Sequence, residues 1–242
     1  MTFDQLQEKL GPLVAEEWHQ HARGGGWVQN SATVDEAVYV GEEAIVYDSA
    51  RVYGKAQVCG DAMVCGDAEI YDKALVLGRA IVGGKARVSG NAKVFGDAMV
   101  CGDAMVCGDA EIYGKAQVLG RAIVSGKARV SGNAIISGDA KICRKAQVFG
   151  EAMVCGSARV SGNAMVFGVA AIYCDAIICG DAKVSGDAEI SGKAQVSGKA
   201  LVSGMAKVSG IAEICGSARV CGNSEVSGKA RVSGDAAQPT VS

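Results

Sequence analysis

The chain has 242 residues, 34 of them glycine and only 2 proline, with a formal net charge of −2. Apolar residues make up 49% but aromatic ones only 5%, which excludes the large aromatic-rich core of an ordinary mixed α/β enzyme. The near-neutral charge carries neither the basic field of a nucleic-acid binder nor the acidity of a DNA mimic. No run of 18 apolar residues suggests a membrane span, and residues 1–22 lack the basic-then-apolar pattern of a signal peptide. The 10 cysteines then read as reduced thiols in a cytoplasmic setting.

Residues 1–30 are read as an N-terminal cap and glycine-rich entry. Phe3, Leu6 and Leu10 recur at helical spacing. Gly11-Pro12 interrupts, and Pro12 suits the first turn of a second helix with Leu13, Val14 and Trp18 on its apolar face. Such a segment would cover the strand edges and open core that a repetitive fold exposes at its first turn, with Trp18 packed in the cap and Trp27 folded over the core as a plug. Gly24-Gly25-Gly26 lacks the flanking residues of a phosphate-binding loop.

Residues 31–234 divide into 34 consecutive hexads without insertion or deletion, beginning SATVDE, AVYVGE, EAIVYD, SARVYG. The second position is Ala except at Val38 and Ser224, the fourth is always Val or Ile, and the sixth is Gly in 28 hexads. Residues two apart point to the same side of a strand, and Val and Ile favour strands. A glycine then supplies a turn with positive φ. Three hexads would close a triangular coil around a narrow core. The first position of every third hexad fits this, since Asp67, Lys85, Asp103, Arg121 and Asp139 alternate in charge. Residues 235–242, containing Pro239, are read as a short tail.

This unbroken array of EAIVYD- and SARVYG-like hexads, preceded by Gly24-Gly25-Gly26-Trp27-Val28, resembles the hexapeptide-repeat proteins. It looks most like a bacterial and phage-associated branch usually labelled acyltransferase-like or polymer-forming. The glycine falls two after the aliphatic, where many of the family's enzymes place it one after. The resemblance implies a left-handed parallel β-helix. A right-handed, bactofilin-like solenoid is the alternative, because periodicity does not set handedness. The resemblance also implies two chemistries, acyl transfer with a histidine base and zinc hydration chemistry with several histidines. Only His19 and His21 occur, both ahead of the array, and no excursion loop interrupts the hexads. On a helix these two would point to different faces and make a poor metal pair. They remain weak candidates for an acyl-transfer base, and no metal or cofactor is expected.

Nine cysteines occupy the fifth hexad position, and Cys174 alone sits at the sixth. No two fifth-position cysteines are three hexads apart, so no ladder of bridged or metal-bridged thiols is expected; Cys155 and Cys174, 19 residues apart, could approach diagonally and are the one pair to check. Residues 60–96 and 102–138 match at 31 of 37 positions with an offset of seven hexads. Seven is not a multiple of three, so the copy is turned by one face. The hexad, rather than a face-specific site, is the unit multiplied.

One outward face is apolar. Its third-position column reads Ile45, Met63, Ile81, Met99, Gln117, Ile135, Met153 and Ala171 before turning charged at Glu189, Lys207 and Glu225. Tyr47, Leu119 and Tyr173 join it at the fifth position, and Phe95, Tyr113, Phe149 and Phe167 line the preceding corner. The strip spans eight coils, about 38 Å at strand spacing. The expectation is therefore an all-β parallel β-helix with a short helical cap. It forms a structural rod that joins a dimer or trimer through this face, with no nucleic acid and no membrane as partner. A hexapeptide-repeat acyltransferase-like enzyme is the alternative.

Overall fold

The computed structural model describes residues 1–234; the tail assigned to 235–242 lies outside the described residues. The chain falls into two compact units, Met1–Lys115 and the part from Ala116 onward. Each unit is a parallel β-solenoid with three hexads to a coil and three sheet faces.

The hexad explains the coil residue by residue. Positions three and four form a two-residue strand, as at Ile81–Val82. It pairs in parallel with Met63–Val64 and with Met99–Val100, one coil away on each side. In the second unit, Lys141–Ile142 pairs with Ile123–Val124 and Arg159–Val160 in the same register. Ala at position two and Val or Ile at position four point inward and are fully buried through most coils, for example Ala80, Val82, Ala140 and Ile142. Outward positions three and five are partly or fully exposed in most coils. Three amides of each hexad donate to the next coil: Ile81 to the Ala98 carbonyl at 2.9 Å, Gly83 to Val100 at 2.9 Å and Lys85 to Gly102 at 2.7 Å. The short core side chains leave these backbone ladders to carry much of the cohesion.

From Asp48 onward the corner at position six takes positive φ in nearly every coil. Six residues other than glycine stand at position six, and four of them, Asp48, Asp72, Arg144 and Cys174, take φ of 60° to 64°. Asp48 and Asp72 turn this to use, because each carboxylate accepts a hydrogen bond from the amide one coil on, Gly66 and Gly90, at 3.0 Å. Cys174 brings no carboxylate to its corner. Cys174→Gly is expected to stabilise the protein by about 1 kcal/mol, the strain of the left-handed backbone less the added freedom of the unfolded chain. Asp72→Gly is expected to be neutral or destabilising. Urea unfolding checks that only Cys174→Gly raises the midpoint.

Opposite charges stack across coils as the column reading expects at Arg121–Asp139, 2.7 Å. The third position adds charge ladders that were not anticipated. Glu69 lies between Arg51 and Arg87, and Lys93 meets Glu111 at 3.6 Å.

Residues 1–30 differ from expectation in one element. The helix Phe3–Leu10 forms, with Thr2 and Gln5 in a reciprocal capping box. The second helix expected from Pro12 does not form. A 3₁₀ turn at Ala15–Glu17 is followed by a strand, Trp18–Gln20, antiparallel to Trp27–Gln29. The unpaired edge of Trp27–Gln29 competes for those residues, and pairing it satisfies backbone groups that a surface helix would leave at the sheet edge. No described helix is long and apolar enough to cross a membrane.

Candidate interaction face

In the first unit the apolar column stands as one in-register row of Trp27, Ile45, Met63, Ile81 and Met99. Its upper part is covered by the chain itself. Leu6, Trp18 and Ile45 form a buried cluster, and Met1, Phe3, Leu10, Leu13, Trp27, Tyr47 and Met63 pack against it. Trp27 does not plug the core. Its indole Nε1 donates to the Met1 carbonyl at 3.0 Å, and its ring meets Phe3 edge-on at 5.5 Å. Lys9 reaches Asp61 at 3.2 Å, tying the helix to the flank of the coils. The cap therefore has two parts, a strand on the sheet edge and a helix on the outer face. This corrects the placement of Ile45 on an open surface, because it is 0% exposed. Tyr47 and Met63 are partly covered, while Ile81 and Met99 lie beyond that cluster and stay partly exposed. The helix lies there because its own Phe3, Leu6 and Leu10 bury apolar surface against a row of outward apolar side chains.

In the second unit the same column reads Gln117, Ile135, Met153, Ala171, Glu189, Lys207 and Glu225, again one coil apart. Met153 is 42% exposed. Leu119 and Tyr173 flank the row half-buried, and the Tyr173 hydroxyl donates to Glu189 at 3.4 Å, where the face turns polar. The corner aromatics stack in pairs: Phe95 on Tyr113 at 5.0 Å in the first unit, Phe149 on Phe167 at 5.0 Å in the second. Ring planes within 6° of parallel form flat aromatic ridges. A third stack, Tyr53 on Tyr71 at 5.1 Å, lies on another corner. The three-hexad spacing of those two tyrosines was the signal for it.

The histidines sit on a hairpin rather than a helix. His19 is exposed, with Nδ1 2.9 Å from the Asn30 side-chain oxygen. His21 is buried, its Nδ1 accepting from the Arg23 amide at 3.3 Å. Neither lines the open polar groove of about 460 Å³ in the first unit, which runs along Ser49, Arg51, Asp67, Glu69, Lys85 and Arg87. Among the described residues, no three His, Cys, Asp or Glu side chains are grouped to hold a metal ion. Burial raises the pKa of the Cys65, Cys101 and Cys107 thiols. Burial also raises the Tyr47 hydroxyl, which shares a hydrogen bond with Cys65. Among the described residues, the buried Trp18 Nε1 has no hydrogen-bond partner.

A family model, the YdcK β-solenoid repeat, matches residues 128–144. The match covers nearly one coil of the second unit. No curated protein matches the chain. The repeat found in that span is thus that of a β-solenoid, in agreement with the parallel coils.

Proposed function

We propose that this protein is a structural or scaffolding β-solenoid that binds a second copy of itself through its apolar face. The supporting observation is the row Ile135, Met153 and Ala171, flanked by the Phe149–Phe167 ridge and open to solvent at Met153. The equivalent face of the first unit already holds an apolar segment, the chain's own helix. The same kind of surface in the second unit takes the same row of another copy, where Ile, Met and Phe meet without charges to desolvate. The charge-laddered faces, such as the one with Arg51, Glu69 and Arg87, stay in water. The acyltransferase alternative draws no support from His19 or His21, neither of which lines the polar groove along Arg51, Glu69 and Arg87.

Ile135→Glu with Met153→Glu is expected to reduce the particle mass seen by light scattering to that of a single chain. Lys183→Glu, on a charged strand of another face, is expected to leave the mass unchanged. An identical mass for the double variant and the unaltered protein would overturn the proposal.

A further inference from the structure

Cys65, Gly83 and Cys101 occupy the fifth position in three successive coils of the first unit. The Cys65 amide donates to Val82 and the Gly83 amide to Val100, both at 2.9 Å. Gly83 has no side chain, and both sulfurs turn toward the space it leaves. The point where a Cβ of residue 83 would stand is 3.0 Å from Cys65 Sγ and 3.8 Å from Cys101 Sγ. The two sulfurs therefore cannot be farther apart than those two distances laid end to end. The coils are rigidly laddered, so the two backbones stay two strand spacings apart, about 9.6 Å. A disulfide needs Cα atoms within about 4.4–6.8 Å, so direct oxidation cannot join these thiols. One atom placed between the sulfurs can.

We propose that Cys65 and Cys101 form a two-thiolate site for a soft, two-coordinate d¹⁰ cation of the Cu(I) type. Metal–thiolate bonds of about 2.3 Å would make a straight S–metal–S bridge of about 4.6 Å. That span falls inside the limit set by the gap over Gly83. Each thiol gives up its proton to solvent, two metal–sulfur bonds form, no electron is transferred, and the product carries one negative charge. Met63 and Met99 stand two residues before each cysteine on the same outward side of their strands, adding thioethers to a patch already rich in soft donors. Zinc is selected against, because it wants four ligands and only these two thiols meet here. The duplication supplies a contrast. At the same offset of seven hexads, Cys107 and Cys143 flank Ser125, so the residue corresponding to Gly83 carries a side chain. The site is complete within one chain and does not require self-association.

The test uses the full reduced chain under anaerobic conditions, with Cu(I) titrated against a colorimetric Cu(I) chelator. The unaltered protein is expected to take its first equivalent at least tenfold more tightly than Gly83→Ser or Cys101→Ser. Gly83→Ser retains every thiol, and circular dichroism reports whether it folds. Bound Cu(I) should protect Cys65 and Cys101 from alkylation, read by peptide mass spectrometry. Equal affinity in all three proteins, or protection of other cysteines only, would overturn the site. If Gly83→Ser does not fold, Cys101→Ser and the alkylation pattern decide the question.

Discussion

Gly162→Ala is expected to destabilise the second unit by about 2–4 kcal/mol, although it adds a single methyl group. Gly162 has φ of 76°, where an L-residue with a Cβ is strained by roughly 1–2 kcal/mol. The added Cβ would stand 2.6 Å from the Gly180 carbonyl oxygen one coil away, inside the closest real contact. That oxygen accepts the Asn163 amide at 2.8 Å, so it cannot retreat without breaking a ladder bond. A control separates the two contributions. Gly222 has φ of 67°, but nothing lies within 4 Å of its would-be Cβ. Gly222→Ala should therefore show the backbone strain alone, about 1–2 kcal/mol. Urea unfolding midpoints measure both, and equal losses would show that the stacking of corners does not matter.

Trp18→Ala is expected to loosen the N-terminal cap by about 3–5 kcal/mol. Trp18 is 7% exposed, packs with Leu6 and Ile45, and lies 6.4 Å from the Tyr47 ring. Removing it empties the centre of the cluster that holds the helix on the coils. Hydrogen exchange should then show lost protection at Trp18–Gln20 and Trp27–Gln29, while the strands of the second unit remain protected. Trp18→Phe should lose far less than the ring volume suggests. Trp18 Nε1 is buried without a partner, so deleting that N–H removes a desolvated donor and offsets part of the lost packing. A phenylalanine variant as unstable as the alanine one would contradict this account.

Much of the fold was legible because each hexad position has one physical task. Ala and Val alternate inward, and Gly takes the positive φ. The three-hexad coil followed from charges repeating at that interval, and the pairing of Ile81 with Met63 and Met99 bears it out. The duplication also behaves as its offset requires. Met63 stands beside Ile81, whereas its copy Met105 stands beside Arg87 on another face. Less was legible where neighbours compete. Residues 12–18 have an amphipathic pattern that suits a helix, but an open strand edge nearby makes a better partner for Trp18–Gln20. Ile45 counted as surface because its position faces outward, and no periodicity says that Leu6 will cover it. The thiols of Cys65 and Cys101 were separated by counting coils, which ignored the gap a glycine leaves between them.

The repeat is thus written in the chain alone: a two-residue strand, a corner at positive φ and a coil of three hexads. Each is set by interactions within one hexad or between identical positions of successive coils. Which outward residues are covered, which histidine is buried and which sulfurs approach one another emerge only on folding. Those outcomes depend on contacts between unlike segments, such as the helix Phe3–Leu10 against Ile45. A local pattern carries no information about such contacts, because their energy depends on what competes for the same surface.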